Sequence, residues 1–395
     1  MKSLSPRHLA QEILRRCDEL ARISEEPGRI TRTFASPAMR RANKLVATWL
    51  REAGLPVRED AAFNLLGRWN CKNPKAKTLL LGSHLDTVRN AGKYDGPLGV
   101  LTAIAAVKSL HGQGVELPFN VEIAGFSDEE GVRYQTTYLG SRALAGTLTT
   151  ADLTRIKEKQ IVKARRSRGE FLAYAEVHIE QGPVLEKLGL PVGIVTAIAG
   201  QTRLRVELRG VAGHAGTVPM NLRHDALAGA AELVLAAEKC GVLATVGKLD
   251  IESTASNVIP GKVTLTLDVR SQDDPRRLAA VRSLKQKAQT IAKRRGLKLA
   301  WQSIQQTDAV PCDPGMIKIF SQCIARRGFK AFKLPSGAGH DAVALSAICP
   351  VAMLFVPCKD GISHNPAEAV KAADVAVAVE VLSDLIRTFA THARA

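Results

Sequence analysis

Four short apolar runs in this chain each lead into a cluster of carboxylates, three of them with histidine, and that repeated arrangement limits the fold more than any other feature of the sequence. Thr78–Ser83 leads into His84 and Asp86, and Asn120–Ser127 leads into Asp128-Glu129-Glu130. A third run carries Val177-His178-Ile179-Glu180, and Val351–Val356 precedes Ser363-His364-Asn365-Pro366-Ala367-Glu368. Short apolar runs that end in small or polar residues read as buried strands. Between them, residues 6–22, 37–53 and 99–110 carry helical spacing. Strands alternating with helices, with motifs at the strand ends, predict an α/β sheet whose site lies along its carboxyl edge.

The middle of the chain changes character. Gln201–Gly210 alternates polar and apolar residues, as a strand with one buried face does. A helix near 225–240, strands near 242–251 and 262–270, a helix near 275–295 and a strand near 297–303 follow. That order is βαββαβ, a one-sided sheet with two helices. Residues 309–395 then resume the helix, strand, helix pattern. The reading is a catalytic domain in two parts, 1–199 and 309–395, interrupted by an inserted domain at 200–308, with hinges near 199–201 and 306–311.

Histidine supplies the next constraint. The chain has nine; His8, His111 and His392 read as surface residues, and His224, beside Arg223 and Asp225 at a helix start, reads as structural. His84 has Asp86 two residues on, placed to accept its second ring N–H and orient the imidazole. Three consecutive acids at 128–130 repel one another beside a buried strand unless a cation neutralises them, although taken alone they read as a solvated turn. Histidine and carboxylate at four strand ends form a mixed nitrogen and oxygen ligand set that suits Zn, Mn, Ni or Co without cysteine. Asp128 reads as a turn or surface acid.

With those motifs laid out, the chain resembles the di-metal amidohydrolases that include allantoate amidohydrolase, N-carbamoyl-L-amino-acid hydrolase and ureidoglycolate amidohydrolase. The segments GSHLDTV, KYDGPLG, DEEGVRY, HIEQGP, GHAGTVPM, NVIPGKV, SGAGHDA and GISHNPAE carry the resemblance in order, from about residue 8 to 390. It implies a mixed-sheet α/β catalytic domain with an inserted ferredoxin-like (βαββαβ) lid and dimerisation domain. It implies His84, Asp95, Glu130, His178 and His364 as ligands of two divalent ions, Mn2+ first, with Zn2+, Co2+ or Ni2+ as alternatives. Asp95 would bridge, with His84 and His178 on one ion and Glu130 and His364 on the other. Glu129 would be the general base, Asp86 its catalytic neighbour, and His214 an oxyanion donor reaching a partner subunit's site. Asn257 and Arg270 would hold a substrate carboxylate; Gln201, Gly339 and His340 are further substrate contacts. For His340 the alternative is a loop-stabilising hydrogen bond with Asp341.

The implied reaction is hydrolysis of a ureido or carbamoyl C–N bond in a small carboxylate. Allantoate comes first, in purine and ureide nitrogen catabolism, with N-carbamoyl-L-amino acids or ureidoglycolate as the alternative. A pair of ions about 3.5–4 Å apart lowers the pKa of a shared water towards about 7. The formal charge of +17 favours anionic partners such as a small ureide. A nucleic-acid strip at Lys157–Arg168 is the competing reading, but no nucleic-acid motif accompanies it and aromatic residues are only 4%. That run reads as a solvated loop or helix face. No apolar stretch is long enough for a membrane span, and Met1–His8 leads into no signal-peptide core. Seven scattered cysteines without a Cys-x-x-Cys pair read as reduced thiols in a cytoplasm, with no nucleic-acid or membrane partner expected; a homodimer is what the resemblance implies.

Overall fold

The computed structural model describes residues 5–252 and 255–392. The first four residues of the stretch read for a targeting signal therefore lie outside the described residues. The chain divides into two units: Met1–Thr196 with Cys312–Ala395, and Ala197–Pro311. The inserted unit thus begins before residue 200 and ends after 308. At its two linkers β-pairing joins Ile198 to Val310 and Ala197 to Pro311.

In chain order the strands are β1 (Val57–Glu59), β2 (Leu65–Trp69), β3 (Thr78–His84), β4 (Asn120–Phe126), β5 (Phe171–Ile179) and β6 (Gly193–Ile198). The inserted unit holds β7 (Gly200–Arg209), β8 (Gly213–His214), β9 (Leu243–Ile251), β10 (Val258–Ile259), β11 (Lys262–Ser271) and β12 (Lys298–Thr307). Then come β13 (Val310–Pro311), β14 (Lys333–Ser336) and β15 (Val351–Val356).

The large sheet runs β1-β2-β4-β3-β5-β15-β6, with β14 on β6. Its middle four strands, β4, β3, β5 and β15, are mutually parallel, while β2 and β6 pair antiparallel at either side. Every residue of β3, β4 and β15 is buried, as expected of parallel strands covered on both faces. The register sets His84 beside Phe126 and His178 beside Phe355. All four parallel strands therefore finish at one edge, where the polar clusters begin.

Helices Pro6–Ala21, Pro97–Gly112 and Ala372–His392 pack together over β3, β5 and β15. The first starts at Ser5, whose hydroxyl accepts the His8 N–H ahead of Pro6, and Ser36 serves the second helix, Pro37–Glu52, in the same way. Leu9, Ile13, Cys17 and Leu20 return at helical spacing and are all buried. Pro97–Gly112 is apolar nearly all round because it is enclosed within this layer.

The inserted unit is a four-stranded antiparallel sheet in the order β12-β7-β11-β9. Along β7, Leu204, Val206 and Leu208 face its core, meeting Val263, Leu265, Leu267 and Val269 of β11. Helices Ala226–Glu238 and Asp274–Arg295 close that face with Ala226, Ala230, Leu233, Leu284, Ala288 and Ile291. This is the βαββαβ order expected, with a small ladder of β8 and β10 added. The basic run expected to be a solvated face is anchored: Ile161 and Ala164 are buried with Phe34, Leu139 and Ile156. Its Arg166 pairs with the fully buried Glu122 at 2.9 Å and with Glu170 at 2.6 Å.

Candidate metal centre

The cluster at the carboxyl edge is built around Asp95, which is 4% exposed and lies just before helix Pro97–Gly112. Its two oxygens face different partners. Oδ1 is 3.1 Å from His178 Nε2 and 3.6 Å from His84 Nε2. Oδ2 is 3.1 Å from His364 Nε2, and that nitrogen is 3.3 Å from Glu130 Oε1. The structure thus brings together all five residues read as ligands, in two sets that share one carboxylate. Gly96 makes the approach feasible, because it has φ +82° and a Cβ there would lie 2.5 Å from the His84 ring.

The ring nitrogens facing away from Asp95 are anchored. His84 Nδ1 is 3.1 Å from the Asp86 carbonyl oxygen, and His178 Nδ1 is 2.9 Å from the Ile179 carbonyl oxygen. Carbonyls only accept, so each Nδ1 carries a proton, and Nε2 of each ring faces a carboxylate oxygen of Asp95, where it can hold either a proton or a metal ion.

Charge says the same. Burial opposes protonation of His84, yet Asp86 and Asp95 outweigh it and hold its pKa well above the usual imidazole value. His178 is raised against burial by Asp95. Hydrogen bonds to Asp95 and Glu130 push His364 up to about 10. Burial alone would raise Asp95, but His178, His364 and His84 hold its carboxyl well below the usual range. Divalent ions would supply the positive charge that these residues otherwise collect as protons, so the donor set fits a two-metal site.

Glu129 lies beside this cluster, 7% exposed, with a carboxylate oxygen within 4.8 Å of ligand atoms of His84 and Glu130. Burial raises its pKa; His84 offsets part of this, while Glu130, Asp341 and Asp86 add to it, leaving it well above the ordinary value. Asp86 departs from its expected role. Its carboxylate is 3.6 Å from His84 Nδ1, farther than its own carbonyl. The carboxylate instead accepts the Glu129 N–H at Oδ1, 3.0 Å, and the Glu130 N–H at Oδ2, 3.2 Å. Asp86 thus positions the acidic pair with its carboxylate and orients the His84 ring with its carbonyl.

Asp128 is not a surface acid. It is fully buried at φ +53°, neither oxygen has a hydrogen-bond partner, and burial with the nearby Asp86 charge pushes its pKa up to about 8. Glu180 caps helix Val184–Leu188, accepting the N–H groups of Val184 and Leu185. His340 is 1% exposed and stacks edge-on to His178 at 4.6 Å. Its Nε2 lies 2.8 Å from Ser336 Oγ, while Asp341 accepts the Ser141 hydroxyl at 2.6 Å, so Asp341 is not its loop partner. At Gly339 a Cβ would sit 1.7 Å from the Tyr138 hydroxyl, which only glycine permits.

The remaining candidates belong to the inserted unit. β8 pairs with β10, setting His214 opposite Val258, and the Ala215 N–H donates to the Asn257 carbonyl at 2.8 Å. Exposed His214 accepts the Gly216 N–H at Nδ1, 3.0 Å, so its neutral ring keeps a donor at Nε2. Gln201 and Arg270 are cross-strand partners, and both bind Asp268: Gln201 Nε2 at 2.7 Å, Arg270 by Nε at 3.1 Å and its terminal nitrogen at 2.9 Å. The Arg270 fork expected for a substrate carboxylate therefore holds an internal one. Arg270 and Asp268 line an open hollow of about 540 Å³ with Arg203 and Thr245.

His8 and His111 are exposed and His224 bonds the Arg295 carbonyl at 3.0 Å, while the His392 side chain lies outside the described residues. The described cysteines are all free thiols. Gln181, Ser363 and Glu368, given no role above, all contact the Asp95 segment. Their signal was proximity in sequence to His178 and His364.

The chain as a whole is similar to known proteins. Residues 80–388 match Peptidase family M20/M25/M40. The chain is 40% identical to a Glycine max protein named allantoate deiminase 2, covering 94% of this chain and 88% of that protein. It is also 40% identical to the N-carbamoyl-L-amino acid amidohydrolase of Geobacillus stearothermophilus, covering 94% and 96%. A crystal structure of a hydantoinase/carbamoylase-family amidase from Burkholderia multivorans superposes with a TM-score of 0.91 at 30% identity, covering 96% and 98%.

Proposed function

The chain belongs to peptidase family M20/M25/M40, and from that premise we propose that it is a metal-dependent amidohydrolase cleaving a ureido or carbamoyl C–N bond of a small carboxylate. Allantoate is the preferred substrate, giving ureidoglycine, ammonia and CO2. The observation that carries the reading is the division of Asp95: each oxygen has its own ligand set, and Glu129 sits beside both. Two bound divalent ions supply Lewis acidity to a water and to the scissile carbonyl. Mn2+ is the proposed metal.

The chain's own residues account for the proton movements. Glu129 takes the water proton as the oxygen attacks and returns it to the leaving nitrogen. A carboxyl kept above its ordinary pKa by burial suits both halves of that exchange. Asp86 keeps Glu129 at its post through the backbone while Glu130, on the next residue, faces His364. His214 donates Nε2–H to the developing oxyanion, and we place it in the partner's site of a homodimer. Gln201, Asn257 and Arg270 receive the substrate carboxylate, which would compete with Asp268 for the arginine fork.

Ammonia release from Mn-reconstituted protein tests the reading, with allantoate and a panel of N-carbamoyl-L-amino acids offered and Glu129→Ala as the blank. Strong release from allantoate that vanishes in the variant supports it. Release from the N-carbamoyl amino acids alone moves the protein to that substrate class, which the Geobacillus relative favours. No metal-dependent release from either sinks the proposal.

A further inference from the structure

We propose that Glu368 is a positioning residue that locks the two ligand sets into register, fastening the backbone of the bridging Asp95 to the backbone of His364. The inference rests on the two-metal reading above and adds to it a residue that binds no metal. Glu368 is 3% exposed, and its partners come from two distant loops. Oε2 accepts the N–H of Tyr94 at 3.0 Å and of Asp95 at 3.3 Å. Oε1 accepts the N–H of His364 at 3.1 Å.

Three further observations show that the surroundings are built for this carboxylate. A Cβ at position 92 would lie 2.1 Å from its carboxyl carbon, so Gly92 leaves the space it fills. His364 holds φ +55°, a left-handed conformation that persists only where neighbours impose it, and its N–H bond to Glu368 is such a restraint. Ser363 has one hydroxyl proton and lies closer to Asp95 Oδ2, 2.9 Å, than to Glu368 Oε1, 3.3 Å. Gln181 donates to both Ser363 and Asp95 Oδ2, at 3.0 and 2.9 Å. Asp95 Oδ2 is thus held by side chains and its main chain by Glu368.

The chemistry makes a sharp variant available. All three backbone partners donate, and a carboxylate accepts at both oxygens. Glu368→Gln keeps the volume but turns one oxygen into a donor, so the tie to Tyr94 and Asp95 or the tie to His364 must break.

The test is a Co2+ titration of the chelator-stripped full chain, followed by calorimetry and visible absorbance. Wild type is expected to bind two equivalents. In Glu368→Gln the first equivalent should bind as in wild type and the second roughly 10–100-fold more weakly, the usual effect of losing an outer hydrogen-bond partner. Turnover should fall at limiting metal and recover with excess metal, at unchanged KM. Gly92→Ala, which displaces the carboxylate without altering it, should reproduce the selective loss. A Glu368→Gln titration identical to wild type overturns the proposal. So does equal weakening of both equivalents alongside a lowered Tm, which marks a general structural role. A wild-type chain that binds fewer than two equivalents overturns the underlying two-metal reading instead.

Discussion

Glu129 and Glu130 are adjacent, chemically identical and assigned different work, and the carboxylate of Asp86 separates them by taking one backbone N–H in each oxygen. Glu129→Gln should lower kcat by about 10²–10⁴, the range for loss of a general base, with metal content by elemental analysis unchanged. Equal loss of metal would instead make Glu129 a ligand. His214→Ala should cost about 10²–10³ in kcat, again at unchanged metal content. The ligands were legible because histidine is scarce, nine in the chain, and each cluster follows an apolar run. Asp128 was not: nothing in Ser127-Asp128-Glu129 reveals that its left-handed backbone turns the first acid into the core. The Asp268–Arg270 pair, by contrast, did have a signal that was passed over: strand residues two apart share a face, so Asp268 could reach the Arg270 fork.

Elements were read to within a few residues wherever periodicity was strong and a cap was present. The Ser-Pro and Asp-Pro starts of helices Pro6–Ala21, Pro37–Glu52, Asp274–Arg295 and Pro314–Arg326 are examples. What escaped included β1, β2 and β6 of the large sheet, together with elements that have no period of their own: the two-residue ladder of β8 and β10, and the 3-10 turn Lys159–Ala164 pinned by Ile161. Truncating Ile104→Ala, fully buried in helix Pro97–Gly112, should cost about 2–5 kcal/mol in chemical denaturation. Asp374, in the first turn of Ala372–His392, offers a test with a definite sign. Burial raises its pKa from 3.8 to about 6, Lys371 opposing and Glu186 reinforcing. The folded chain therefore holds this proton more tightly than the unfolded one, and the group's contribution to stability falls as pH rises from 3.8 through 6. Because the side chain is half-exposed, solvent screening reduces the effect to about 1 kcal/mol. Asp374→Asn should be more stable than wild type by about that amount at pH 7 and equal to it near pH 3.5, by urea midpoints. A constant difference across that range would refute the assignment.

At the scale of the molecule, the inserted unit has its own core, Leu204 to Leu297, and residues 197–311 expressed alone should unfold cooperatively in urea. The proposed homodimer makes a separate prediction. If His214 serves the partner's site, mixing Glu129→Ala and His214→Ala chains should recover activity that neither variant has alone. No recovery after confirmed subunit exchange would place His214 in its own subunit's site or outside catalysis. The sheet order carries one more consequence. β15 lies between β5 and β6, although it is made after the whole inserted unit. On the ribosome, His84, Asp95 and His178 emerge early, while His364 waits for the last strand to thread between two already synthesised. A nascent chain halted before Val351 would keep two open strand edges and four of the five ligands, lacking only His364 to complete the second set. Birth order, for this protein, makes its terminal segment the licence for chemistry.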